Sequence, residues 1–465
     1  MLSIENKSQV GFLTKAIAFS TLILFLCSSL RHALFQSSFD LAIFDNAIYL
    51  IGQGKPPFVT FRGLHILGDH AAWIVYPLAL LYKIYPDIHW LFFLQAFSLA
   101  FAILPLWYLC RALGLKESQS KTAVWAYLLY PAIFNVNLFD FHPEVIAVPA
   151  IFVAILAVKQ DKLWWFVGAV VLILSCKAVL ALSVIGMGLW LLVSGRYKYA
   201  IISLVLGCGW FAIATQIIIP TFSGTEAAAV NRYGYLGDSV LDIIKNLVLR
   251  PNLVLGKVFS LSTLGYLLLL TVPLWWGLSP LHWMPIISAL PILLINILSV
   301  SPAQRNLVHQ YSLPIIPWLF LVVIMAMSSR QIWFKSRRNI LIWLVLAWLT
   351  LAKYGYFGSI YLQTWDTWGA TRNAIALIND RKGVLTTTDI APHLTHRSLL
   401  GLTTTDLNYE ELEKFKYILL NLRHPGWGSS PEIAHSIYVK LKQTSKFQLQ
   451  FERDDVFLFT KVSRS

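Results

Sequence analysis

Runs of roughly 15–22 apolar residues recur along this chain between residues 12 and 356, and no other feature restricts its fold so severely. About 20 such residues are what an α-helix needs to cross the hydrocarbon core of a bilayer. Backbone facing lipid must satisfy its hydrogen bonds internally, and hydrophobicity that is continuous rather than alternating excludes a β-barrel. With 57% hydrophobic and only 13% charged residues, and a mean hydropathy of +0.64, the chain reads as an all-α polytopic membrane protein. Each charge near the bilayer then calls for a reason.

Spans are expected near residues 12–30, 88–110, 122–139, 143–158, 163–177, 178–194, 199–219, 257–277, 281–299, 311–328 and 339–356, about eleven in all. The apolar stretch 71–84 is short and interrupted by Pro77, and reads as a re-entrant or interfacial helix. The basic residues agree. With a cytoplasmic N-terminus carrying Lys7 and Lys15, the inner loops hold Arg111, Lys116 and Lys121, then Lys159 and Lys162, Arg196 and Lys198, and finally Arg330, Lys335, Arg337 and Arg338. Counting 71–84 as a full span would put the downstream basic loops outside. The net charge of +14 and pI near 9.5 are therefore a positive-inside signature, which argues against nucleic-acid binding.

The expected organisation is a multi-span membrane domain over 1–364, with a long first outer loop at 31–87, and a C-terminal extracytoplasmic α/β domain over 365–465. In that last segment charges become common and turn signals appear. Residues 383–388 and 417–422 read as buried strands, 370–379 and 431–440 as helices, and 447–462 as a hairpin turning at 452–455. Multi-pass residence in the plasma (inner) membrane follows.

The outer face collects the scarce polar groups: Asp40, Asp45, His65, Asp69, His70, Asp140, His142, Glu144, Glu226, Arg232, Arg305 and His309, with Lys177 and Lys353 near span ends on the same side. Midplane ionisable groups, usual in ion-coupled carriers, are almost absent. Such a layout suits a site where a lipid-borne headgroup meets a substrate from outside. Asp40 and Asp45 lie about 140° apart on a helix, so one serves as base and the other as structure. Asp40 is the better base by position, although FD before an apolar run also reads as a helix N-cap. Asp140, His142 and Glu144 alternate, so an extended segment presents all three on one side, either to a divalent cation or to water. His65, Asp69 and His70 suit a phosphate or a solvated loop. Lys177, Arg232 and Arg305 are the cations able to grip a phosphate. Tyr233 and Tyr235 suit sugar stacking or an interfacial aromatic belt.

Cys27, Cys110, Cys176 and Cys208 sit in or beside apolar spans with no metal or redox spacing and read as packing residues. There is no phosphate-binding glycine loop, dinucleotide fingerprint, zincin motif or Ser/His/Asp signature, so no cofactor is required beyond a possible divalent cation.

The segments FDLAIFDNAIYLIGQGK, GLHILGDHAAWIVYPLALLYKIYP, FDFHPE, LVLGCGWFAIATQIIIPTF, NRYGYLG, HQYSLPIIPWLF and APHLTHR, in this order from about residue 35 to about 425, resemble the domain-of-unknown-function family 2079 of multi-span membrane proteins. That family tends to carry Lys-Glu-Asp where this chain has Lys177-Ala178-Val179, so two acidic positions are missing here. The layout is in turn similar to the C-type glycosyltransferases, with an acidic first outer loop, interfacial helices, many spans and an outer C-terminal domain. By that resemblance Asp40 or Asp45 is the base toward an acceptor hydroxyl, and Lys177, Arg232 or Arg305 holds the phosphate of a polyprenyl-phosphate-linked sugar. The resemblance implies sugar transfer on the outer face. A transporter or flippase of a lipid-linked substrate, and a non-catalytic membrane scaffold, are the alternatives.

Overall fold

The computed structural model describes residues 7–225 and 228–462; Glu226 lies outside them. The chain forms two compact units. The first comprises the segment ending at Leu26, Leu67–Ile74 and Phe92–Lys353; the second comprises Cys27–Ile66, Val75–Leu91 and the chain from Tyr354 onward.

The first unit is helical. Among the described residues of the whole chain, five helices are long and apolar enough to cross a membrane: Lys7–Ala33, His89–Ala112, Tyr197–Ser223, Gln310–Ser328 and Arg337–Leu362. A sixth forms if Pro251–Val258 and Leu261–Leu274, bent by 51° to each other, act as one span. Other expected spans are helical but short. Leu163–Cys176 and Leu180–Val193 have 14 residues each, about 21 Å at 1.5 Å per residue. The expected span 122–139 is two helices, Glu117–Leu128 and Pro131–Asn137, because Pro131 lacks the N–H a continuous helix would use. The stretch read as interfacial forms, in the second unit, the ten-residue helix Val75–Ile84, about half a bilayer core in length.

In the second unit a five-stranded sheet runs in the order Leu400–Leu402, Val384–Thr386, Tyr417–Asn421, Val456–Lys461, Phe447–Arg453; the first three strands are parallel and the last two antiparallel. The strand at Leu400–Leu402 is too short to have been legible. Alternation sorts the two faces. Val384, Leu400, Leu402, Tyr417, Leu419, Val456 and Leu458 pack against Ala370 and Ala374 of helix Trp365–Ala376. Leu385, Ile418, Leu420, Phe457 and Phe459 pack against Ile437 and Leu441 of helix Pro431–Gln443. The hairpin turns through Asp454 and Asp455 at φ 50 and 60, the left-handed pair that a tight two-residue turn demands.

The first outer loop belongs to this unit. Its helix Phe39–Gly52 contributes Ala42 to the same core as Val384 and Leu458, with Phe39 packed alongside. The sequence divides loop and C-terminal domain; packing joins them.

Candidate functional site

In the first unit the break between helices Leu163–Cys176 and Leu180–Val193 is the focal point. Lys177 is extended there (φ −167, ψ 145), and its ammonium donates to Glu144 Oε1 at 2.8 Å, both side chains being buried. Glu144 Oε2 is also buried and makes no hydrogen bond among the described residues. The backbone of the break is held by segment 70–74: Ala178 N donates to His70 O at 3.0 Å, and Ile74 N donates to Ser175 O at 3.1 Å.

Two imidazoles join the pair. His70 Nδ1 donates to Asp69 O at 2.8 Å and His142 Nδ1 donates to Asp140 O at 2.9 Å, so each neutral ring keeps its lone pair on Nε2. Burial pushes His70 down to about 4, with Asp69 opposing and Lys177 adding to the shift. His142 goes down to about 4 for the same reasons, burial first and the Lys177 ammonium second. Both rings are neutral at pH 7.

A cavity of about 560 Å³, lined by Leu67, Ala71, Trp73, Leu174, Trp210 and Ile218 among others, adjoins this cluster. Ala71 follows His70, and Leu174 lies one helical turn before Lys177. Ala178 is buried against Ala71, Ala214 and Ile219.

The other candidates of this unit serve the end of helix Ile286–Leu298. Arg305 Nη1 donates to the carbonyls of Asn296, Ile297 and Ser299 at 3.2, 3.0 and 2.7 Å, as a cation at a helix C-terminus does. Tyr233 and Tyr235 donate their hydroxyls to Ile295 O and Leu298 O. Arg232 lies 5.3 Å over the Tyr311 ring. His309 meets Phe139 edge-on at 4.3 Å, and Phe139 stacks on His142. Among the described residues no group of three His, Cys, Asp or Glu side chains is arranged to hold a metal ion; Asp140, His142 and Glu144 do not form one.

In the second unit the two loop carboxylates part company. Helix Phe39–Gly52 is capped by Ser38, which accepts from Asp40 N, so Asp40 is not the cap but a half-buried carboxylate in the first turn. Asp45 is fully buried. It accepts from the hydroxyls of Tyr82 and Thr395, and His396 Nε2 stands 3.2 Å from Oδ2, within ion-pair reach but not aligned as a hydrogen bond. The His396 ring stacks on Tyr49 at 4.7 Å and 8°, and Arg381 donates to the Tyr49 hydroxyl. Asn46 donates to the carbonyls of Thr395 and Arg397 at 2.6 and 2.9 Å. Asp45 is thereby a latch between the outer-loop helix and segment 395–397. His65 sits in the two-stranded hairpin Phe58–Val59/Leu64–His65, its pKa lowered by burial. Tyr82, Thr395 and His396 escaped sequence reasoning, although the APHLTHR motif carried two of them.

These features define a multi-span membrane protein with the fold of ArnT from Cupriavidus metallidurans, whose crystal structure holds undecaprenyl phosphate. The likeness has a TM-score of 0.61 at 12% identity and covers 97% of this chain and 98% of that one. It agrees with the C-type glycosyltransferase layout implied by the sequence. The chain belongs to the DUF2079 family, described as predicted membrane proteins, whose family model matches residues 31–458. No curated protein matches the sequence.

Proposed function

We propose that this protein transfers a sugar from a polyprenyl-phosphate carrier to an acceptor on the outer face of the plasma (inner) membrane. In this reading the chain has about eleven spans, a cytoplasmic N-terminus and an extracytoplasmic C-terminal α/β region. The observation that carries the reading is the apolar cavity beside the Lys177, Glu144, His70 and His142 cluster. A prenyl chain needs an apolar trough, and this one lies beside the buried Lys177–Glu144 pair. The fold shared with a protein crystallised with undecaprenyl phosphate supports the same assignment.

Asp40 is the proposed base, because Asp45 is committed to three partners. Asp40 takes the proton of the acceptor hydroxyl as that oxygen attacks the anomeric carbon. The C1–O bond breaks with its electron pair on the leaving polyprenyl phosphate, and the anomeric centre inverts.

The test is release of free polyprenyl phosphate by the protein in nanodiscs, with a panel of polyprenyl-phosphate sugars, with and without a chelator. Asp40→Asn should abolish release and exposed Gln448→Ala should leave it unchanged. A folded protein inert across the panel would leave the flippase or scaffold readings.

A further inference from the structure

The parallel part of the sheet reverses direction at one place. From Val384–Thr386 the chain goes to Leu400–Leu402 on one side, then crosses back to Tyr417–Asn421 on the other. In open α/β sheets the crevice beyond the carboxyl ends of two such strands is where ligands bind. The loops leaving these ends are 387–389 and 422–430, and they are tied together. Thr388 donates from N and Oγ1 to Pro425 O at 3.0 and 3.1 Å, and Gly428 N donates to Thr388 Oγ1 at 3.2 Å. Gly426, at φ +90, lies so close that a Cβ there would stand 2.3 Å from Asp389 Oδ1. Only glycine allows that turn and that approach.

What this loop displays is Trp427, 83% exposed. Its ring is parallel to Phe39 within 12° at a centroid separation of 5.7 Å. Phe39 opens the helix whose next residue is Asp40. The crevice therefore combines the indole platform of Trp427, backed by the stacked ring of Phe39, with the carboxylate of Asp389, while Asp40 follows Phe39 in sequence. The nearby basic groups are engaged: Arg423 pairs with Asp366 and Asp455, and His424 Nε2 lies 2.8 Å from Asp366 Oδ1. Asp406, four residues beyond strand Leu400–Leu402, pairs with Lys440. With those groups paired, the crevice suits a neutral ligand with an apolar face and hydroxyl donors. That chemistry is a sugar ring, whose C–H face lies on an indole while its hydroxyls donate to carboxylates.

We infer that the Trp427, Phe39 and Asp389 crevice is a sugar-binding site; its role as the acceptor site rests on the transfer reading above. The test is saturation-transfer NMR on the full protein in nanodiscs with the methyl glycosides of glucose, galactose, mannose, N-acetylglucosamine and arabinose, and separately with short-chain prenyl-phosphate sugars. At least one methyl glycoside should bind, weaken tenfold or more in Trp427→Ala, and stay within threefold in Trp427→Phe. No glycoside binding, or equal binding by Trp427→Ala with an unchanged melting temperature, overturns the site. Quenching of the Trp427-dependent fluorescence by brominated lipid also overturns it, since the platform would then be a membrane anchor. Dependence on Trp427 for the prenyl-phosphate sugar alone overturns the acceptor role. The readout needs no turnover, so glycoside binding by a protein that transfers nothing would refute the transfer reading and leave the sugar site standing.

Discussion

Lys177 and Glu144 stand 2.8 Å apart in a helix break, and each is the other's compensation for burial. Removing one member strands a buried charge, whereas removing both with apolar isosteres restores balance. Lys177→Met and Glu144→Leu should each lower stability by about 3–5 kcal/mol. The double variant should recover most of that loss in thermal unfolding in detergent. If the two single losses simply add, the pair is not coupled.

Asp45→Asn keeps the shape but replaces one of the two oxygens that accept from Tyr82 and Thr395 by an amide nitrogen that cannot accept. A loss of about 1–3 kcal/mol is expected. Faster proteolysis between residues 380 and 400 should accompany it. Asp40→Asn, at a half-buried first-turn position, should change the melting temperature little while abolishing polyprenyl-phosphate release. Reversal of these two phenotypes would reassign the base.

Gly186 faces Ser288 so closely that a Cβ would lie 2.2 Å from Ser288 O, backbone that cannot move aside without its helix. Gly186→Ala should force helices Leu180–Val193 and Ile286–Leu298 apart and cost about 1–3 kcal/mol. A melting temperature equal to the parent's would show that the two helices tolerate separation.

Three imidazoles, buried His142 and half-buried His70 and His393, are each pushed down to about 4 by desolvation. The unfolded chain then binds more protons than the folded one between pH 6.5 and pH 4, so stability falls as pH falls through that window. Each group should account for roughly 2 kcal/mol at pH 5 relative to pH 7. Thermal unfolding between pH 7.5 and 4.5 should show the decline, and His393→Gln should flatten it. A His393→Gln profile as steep as the parent's would place the sensitivity elsewhere.

The elements most legible in the sequence were those whose signal is local. The strands Val384–Thr386 and Tyr417–Asn421, the hairpin through Asp454 and Asp455, and helix Pro431–Gln443 all carry their periodicity or turn chemistry within a few residues. The helix Val75–Ile84 was legible from its shortness. The break at Tyr130–Pro131 was hidden because hydropathy continues through it, although the proline was there to be weighed.

The sequence by itself determined that the chain enters a membrane and that its last hundred residues form a separate chemistry, since hydropathy and periodicity are sums over neighbours. Hydropathy also led to the expectation that the scarce polar residues collect at one set of helix ends. Only the tertiary structure decided what each one does. Asp40 and Asp45 look alike in the chain, yet Asp45 is spent on Tyr82 and Thr395, 37 and 350 positions away. Arg305 and Lys177 look alike as cations, yet one caps a helix and the other pairs with a buried carboxylate. A charge takes its role from whatever shares its low-dielectric surroundings, and those partners are chosen by packing rather than by adjacency.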